Sequence, residues 1–156
     1  MYSFDFEPRG AEYADLLRSA PAYCDSALLV VRDDIKLDDF GISFLRSVER
    51  NSLSKKESHE WPGTILFEGS ATVFRLRLDE HLSRRMTAAV DGLFDWKQPH
   101  LPEDLCLLRP NEDPWLISIS HEHEAYLDIN EREYRELKAV YPDLMRFVAY
   151  DPDPIP

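Results

Sequence analysis

The order of apolar and polar residues predicts that helices and strands are interspersed along the chain. Residues 26–32 form a short apolar run rich in Val and Leu, which predicts a strand buried on both faces. In residues 72–78, apolar side chains alternate with arginines, so this strand is expected to have one face in the core and one in water. It should pair with residues 64–67 through a tight turn at residues 68–70.

Three further strands are predicted in the second half of the chain, at residues 104–109, 115–120 and 124–129. The segment between the first two, residues 110–114, contains two prolines, an asparagine and two acids, a composition typical of a turn. Because the connections are short, the three strands are expected to form an antiparallel meander. Residues 147–150 are predicted to add an edge strand.

Four helices are predicted from apolar positions at helical spacing, and the last three also from capping residues at their starts. The first lies within residues 8–21, and the second begins after Asp38. The third begins after Asp79, and the fourth begins after Asn130, with Glu133 placed to complete a capping box. The apolar stripes consist of Tyr13, Leu16, Leu17 and Ala20; Phe40, Phe44, Leu45 and Val48; Leu82, Met86, Ala89, Val90 and Leu93; and Tyr134, Leu137 and Tyr141.

Two polar segments are expected to lack regular structure. Residues 51–60 offer almost no apolar side chains to bury, so they are interpreted as a surface loop. Prolines alternate with other residues over positions 151–156, which are interpreted as an irregular tail. Because helices are interposed between antiparallel pairs, the chain is expected to have an α+β fold, with one domain over residues 1–150.

The chain is strongly acidic, with 30 acidic against 18 basic residues and a net charge of −12. Residues 101–156 hold 13 acidic and 5 basic residues, so the negative charge is concentrated near the C-terminus. Such a charge repels nucleic acids and anionic membranes, and neither is expected as a direct partner. The first residues show no signal-peptide pattern, and Cys24 and Cys106 lack the spacing of a metal or redox pair. A cytoplasmic protein is therefore expected.

Two histidines before the last meander strand suggest a metal site. In His121-Glu122-His123-Glu124, the histidines are two residues apart and would point to the same side of a strand. The same residues are expected at the tip between two strands, where polar side chains are simply solvated, and spacing identifies no third ligand. A metal-dependent enzyme or metal-binding protein is therefore an alternative to the main interpretation, which includes no cofactor.

No arrangement of residues points to a catalytic centre. Ser43 lies in half of a nucleophile-elbow motif that lacks its second glycine, and the five glycines are too dispersed for a phosphate-binding loop. Adjacent acids such as Glu103 and Asp104 point apart on a strand and are interpreted as turn or capping residues. Trp61 and Trp96 are expected to lie in the core. The sequence therefore favours a non-enzymatic protein.

Acidic residues cluster around the last meander strand and the start of the fourth helix. With one aromatic residue they are predicted to form a partner-binding patch, which consists of Glu122, Glu124, Tyr126, Asp128, Glu131 and Glu133. In size, charge and fold class, though not in any motif, the chain is similar to small acidic immunity or inhibitor proteins that occlude basic bacterial toxins. The expected function is therefore to bind and mask a basic protein partner. A DNA-mimic inhibitor, in which spaced acids imitate phosphates, is a further alternative.

Overall fold

A computed structural model describes residues 1–153 and has an α+β fold built on an eight-stranded sheet. In this part of the chain the strands are β1 (Tyr2–Phe4), β2 (Ser26–Arg32), β3 (Ser52–Ser58), β4 (Glu60–Trp61), β5 (Thr64–Ile65), β6 (Ala71–Arg77), β7 (Glu103–Leu108), β8 (Pro114–Ile119), β9 (Glu124–Leu127) and β10 (Val148–Tyr150). The α-helices are α1 (Ala11–Ser19), α2 (Asp39–Ser47), α3 (Glu80–Ala89), α4 (Glu131–Val140) and α5 (Pro142–Met145). None of the helices within residues 1–153 is long and apolar enough to cross a membrane.

The large sheet has the strand order β10-β1-β9-β8-β7-β2-β6-β3, and all neighbouring strands are antiparallel. The predicted meander is confirmed as β7, β8 and β9, and the predicted edge strand is confirmed as β10, which pairs with β1. The strand predicted at residues 26–32 has the same bounds in the structure, and its first five residues are buried. This burial follows from its position between β6 and β7.

Different elements cover the two faces of the sheet. On the first face the helices pack over the main core, which contains Leu16, Leu29, Leu82, Leu107 and Leu137. On the second face, the side chains that alternate with these along β2 and β7 form smaller clusters, which consist of Leu28, Cys106, Leu108 and Ile117, and of Val30, Trp61 and Ala71. The β4–β5 hairpin, which carries Trp61, therefore lies over the second face.

The starts predicted for the second, third and fourth helices are confirmed. Asp38 accepts a hydrogen bond from the Gly41 N–H at 3.0 Å, and Asp79 accepts one from the Leu82 N–H at 2.9 Å. Asn130 and Glu133 form the predicted capping box of α4. These side chains satisfy backbone N–H groups that have no partner within the helix.

Two details of the predicted helices are wrong. The stripe of the third helix was extended to Leu93, but α3 ends at Ala89, because Gly92 forms an isolated β-bridge with Arg9 and Leu93 lies in a short 3-10 turn. In α2, Phe40 is 44% exposed instead of buried, because its ring stacks on His100 near the surface at a centroid distance of 4.2 Å.

The interpretation of residues 51–60 as a loop is wrong, because most of this segment forms the edge strand β3. Its backbone pairs with β6 in a register that runs from Ser52 opposite Leu76 to Ser58 opposite Ala71. Charged side chains are common on edge strands, where they discourage pairing with other chains. The polar sequence therefore reflects an exposed edge strand and not a missing strand.

The predicted pairing of residues 64–67 with residues 72–78 is also wrong. Both edges of β6 are occupied, one by β2 and the other by β3. Thr64 and Ile65 pair instead with Glu60 and Trp61 as a separate two-stranded hairpin. In the predicted tail, residues 151–153 contain no helix or strand, and residues 154–156 lie outside the described part of the chain.

Candidate functional site

The β4–β5 hairpin packs closely against the second face of the sheet. Its turn contains Gly63 in the left-handed backbone conformation, with φ of 85°. A Cβ atom at this position would lie 2.9 Å from Ile117 Cγ2 and 3.0 Å from Ile119 Cγ1. Only glycine combines this φ with so close an approach to β8. The Gly63 contact therefore fixes the hairpin against the middle of the sheet.

A hydrogen bond between Trp61 and Asp104 also anchors the hairpin. The indole Nε1–H donates to Asp104 Oδ2 at 2.9 Å, and the Ser120 N–H donates to Asp104 Oδ1 at 2.9 Å. Asp104 is fully buried, so each of these bonds satisfies a carboxylate oxygen that water does not reach. The prediction that Trp61 and Trp96 are core residues is confirmed, since both are buried.

Asp104 interrupts the regular geometry of β7. Its φ is 55°, a left-handed conformation that is uncommon for residues other than glycine. In a regular strand the side chains of Glu103 and Asp104 would point to opposite faces. Here a carboxylate oxygen of each residue and a ring nitrogen of His121 all lie within 4.8 Å of one another. We call Glu103, Asp104 and His121 the carboxylate cluster.

Glu103 is buried without a hydrogen-bonded counter-charge. It is 3% exposed, and within the described part of the chain its Oε2 atom has no hydrogen-bond partner. The nearest cation is Arg32, whose Nη1 atom lies 4.0 Å from Oε2, too far for a hydrogen bond. The cluster therefore contains two buried carboxyl groups near a single guanidinium.

Burial raises the pKa of both carboxyl groups. For Asp104, burial is the largest influence, and the hydrogen bonds from Ser120 and Trp61 oppose it. For Glu103, burial comes first and the neighbouring Asp104 charge adds to it, while Arg32 acts in the opposite direction. A buried carboxylate without full compensation is costly, so the cluster favours a bound proton or a bound cation.

The two cysteines are buried and free, and burial raises the pKa of each thiol to about 12. Neither Cys24 nor Cys106 is therefore a thiolate near neutral pH, which is the form that acts as a nucleophile or metal ligand.

An open groove lies beside the hairpin on the second face, with a volume of about 860 Å³. Its apolar lining includes Phe67 and Ile65, which are 99% and 65% exposed. Three exposed acids also line it, namely Glu60, Glu122 and Glu124. None of the described lining residues is a lysine or an arginine. We call this surface the hairpin groove.

The structure distributes the six residues of the predicted acidic patch over two regions. Glu122 and Glu124 line the hairpin groove, and the Tyr126 hydroxyl donates to Glu124 at 2.7 Å. Asp128 is exposed just after β9. The remaining two acids belong to α4, where Glu131 pairs with Arg135 at 3.3 Å and Glu133 pairs with Arg109 at 2.8 Å.

The two histidines of the predicted metal site have different surroundings. Both lie in the turn between β8 and β9, as the sequence indicates. His121 belongs to the carboxylate cluster, whereas the His123 ring stacks on Phe94 at a centroid distance of 5.6 Å and is not part of that cluster.

Comparisons with known proteins give no assignment: no family model, no curated protein and no solved structure matches the chain.

The sequence did not predict that the carboxyl groups of Glu103 and Asp104 lie close together, or that Phe67 and Ile65 are exposed. A partial signal for the acids was present, because they immediately precede the apolar run Leu105-Cys106-Leu107-Leu108. Acids that start a buried strand are candidates for burial themselves. The groove gave no such signal, because the exposure of Phe67 depends on where the hairpin docks.

Proposed function

We propose that this protein binds and masks a basic protein partner through the hairpin groove. The observation that carries the proposal is the nearly full exposure of Phe67 beside Ile65, in a groove with three acids and no lysine or arginine among its described lining residues. Small acidic immunity and inhibitor proteins are the functional class that this combination favours.

The apolar part of the groove supplies the binding energy in this proposal. Burying a Phe side chain that is otherwise exposed contributes about 1.5–3 kcal/mol. Aromatic residues are enriched among the few interface residues that account for most of the affinity. Phe67 would therefore act as the anchor, with Ile65 and Met1 extending the apolar contact.

The acids supply partner selection. Glu60, Glu122 and Glu124 give the groove a negative field, and the chain as a whole carries a net charge of −12. Such fields accelerate encounter with positively charged proteins and slow encounter with acidic ones. A partner with a basic surface and an apolar pocket therefore fits best.

The hairpin is held in place before any partner arrives. The contact of Gly63 with β8 and the bond from Trp61 to Asp104 both restrain it. A surface that is already ordered loses less conformational entropy on binding. We therefore expect the groove to bind its partner without first having to form.

The first test compares two alanine variants as baits. Affinity purification from the native cell with the wild-type chain should recover a basic protein, and Phe67→Ala should lose it. Phe6→Ala is the matched control, since Phe6 is 66% exposed but does not line the groove, and it should retain the partner.

The purified partner then decides between outcomes. Binding measured by surface plasmon resonance should weaken by about tenfold or more for Phe67→Ala, which corresponds to the loss of one anchor residue. Equal binding by Phe67→Ala and wild type, or an acidic partner, would refute the proposal. Competition between the chain and duplex DNA for the partner, together with no effect of Phe67→Ala, would favour the DNA-mimic alternative instead.

A further inference from the structure

The carboxylate cluster offers a metal ion three ligands of a suitable kind. Imidazole nitrogen together with carboxylate oxygen is a ligand set that zinc uses in proteins, whereas calcium and magnesium prefer oxygen alone. The three ligand atoms lie within 4.8 Å of one another. Ligands on one tetrahedral zinc ion lie about 3.3 Å apart, given bonds near 2.0 Å. The cluster therefore needs only a small side-chain adjustment to close around an ion.

The adjustment is available to His121. Its side chain is 38% exposed in the turn between β8 and β9, whereas Glu103 and Asp104 are buried in β7. The proposed site therefore has one of its ligands, His121, at the surface. Water can complete the coordination on that side, as in zinc sites with three protein ligands.

The unpaired polar atoms at the cluster are an independent indication of a ligand. Glu103 Oε2 and the Ser120 hydroxyl are both buried, and neither has a hydrogen-bond partner within the described part of the chain. Ser120 adjoins the cluster, since it precedes His121 and its N–H donates to Asp104. Buried polar groups are rarely left unpaired without a functional reason.

Asp104 is already oriented as metal-binding carboxylates usually are. Hydrogen bonds from Ser120 and Trp61 each use one lone pair, and a carboxylate offers about four sites for acceptance. Lone pairs therefore remain for an ion, while the two donors fix the direction of the group. Carboxylates that bind metal ions in proteins typically accept such outer hydrogen bonds.

Arg32 does not already occupy the position of a cation. Its Nη1 atom is 4.0 Å from Glu103, and its guanidinium also pairs with Asp34, whose Oδ1 atom lies 3.4 Å from Arg32 Nε. A guanidinium shared with the exposed Asp34 does not fully compensate the two buried carboxyl groups of the cluster. We propose that Glu103, Asp104 and His121 bind a divalent transition-metal ion, with zinc as the preferred ion. The proposal does not depend on the identity of any protein partner.

Calorimetric titration of the EDTA-treated protein with zinc chloride tests it. One zinc ion per chain is expected, together with a rise in melting temperature. His121→Ala should weaken zinc binding by at least about tenfold, and because His121 is exposed, circular dichroism should show the variant folded. His123→Ala is the matched control from the same turn and should leave the affinity within about twofold.

The wild-type titration and the variants can also overturn the proposal. Absence of both heat and a melting shift in the wild type would overturn the proposal. Unchanged affinity in His121→Ala, or equal loss in the two histidine variants, would place any zinc elsewhere and would also overturn it. A Glu103→Gln variant that stays folded and loses zinc binding would support the assignment of the buried ligand.

Discussion

At the scale of single residues, Asp104 links two features of the molecule. It accepts a hydrogen bond from the Trp61 indole N–H and so holds the hairpin. Its carboxylate also lies close to the carboxylate of Glu103 and to the ring of His121. The residue adopts φ of 55°, which costs energy in a residue other than glycine. The hydrogen bonds that it accepts offset this cost. Without their donors, the buried carboxylate oxygens would destabilise the fold.

Replacing Trp61 by Phe should therefore be more costly than the same change at another buried indole. Trp61→Phe leaves Asp104 Oδ2 without its donor, and the free energy of unfolding should fall by about 2–3 kcal/mol. Trp96→Phe is the control, since its Nε1–H donates at 3.0 Å to the neutral Tyr13 hydroxyl. Urea denaturation measures both. If Trp61→Phe costs no more than Trp96→Phe, Asp104 does not hold the hairpin as described.

At the scale of elements, an ion pair fastens the start of α4 to the end of β7. Arg109 donates from both terminal nitrogens to Glu133 at 2.8 Å, and Glu133 also accepts from the Asn130 N–H at 3.1 Å. Burial opposes ionisation of Glu133, but these hydrogen bonds outweigh it and hold the pKa of the carboxyl below its usual range. The pair is mostly buried, with Glu133 only 13% exposed.

This ion pair predicts a pH-dependent contribution to stability. Since the folded-state pKa of Glu133 is lowered, its stabilisation is complete above the unfolded value of about 4.3 and is lost as the pH falls through the folded value. Glu133→Gln should reduce the free energy of unfolding by about 1–2 kcal/mol at pH 7. The deficit should shrink as the pH falls below about 4.

The control for this variant is Glu131→Gln in the same turn of α4. Its carboxylate is 84% exposed in its pair with Arg135, and exposed pairs contribute little. Denaturation curves at several pH values should therefore show almost no change for Glu131→Gln. A constant deficit for Glu133→Gln at every pH would contradict the assigned role of ionisation.

The sequence predicts strands that carry a clear apolar pattern better than strands that do not. β2 was predicted with its observed bounds because an apolar run buried on both faces has a direct sequence signature. β3 was missed because its pairing depends on the backbone of β6, which polar side chains do not reveal. The turn of Asp104 into a left-handed conformation has no composition signal either. The carboxylate cluster therefore required coordinates.

At the scale of the whole molecule, the net charge of −12 is expected to control the rate of encounter with the proposed basic partner. Within the groove, Glu122 and Glu124 are both exposed. Surface charge acts mainly on the association rate, whereas apolar anchors act mainly on dissociation. The two parts of the hairpin groove are therefore expected to have separable kinetic effects.

Reversing Glu122 and Glu124 to lysine should slow association with the proposed basic partner by about tenfold at low salt and change dissociation little. The control reverses Glu49 and Asp91, two exposed acids outside the groove, and makes the same change in net charge. Stopped-flow kinetics at increasing NaCl measure both variants. If the two double variants slow association equally, the groove acids have no special role.

The position of Trp61 gives the molecule a built-in optical reporter. Trp96 and Trp115 are fully enclosed, while Trp61 is 7% exposed and lines the groove on one side. Its indole nitrogen also contacts the aspartate shared with the cluster. Trp61 fluorescence should therefore respond to an ion bound at the carboxylate cluster and to a protein bound in the hairpin groove. In a chain in which the other two tryptophans are replaced, either occupancy becomes visible without any attached dye.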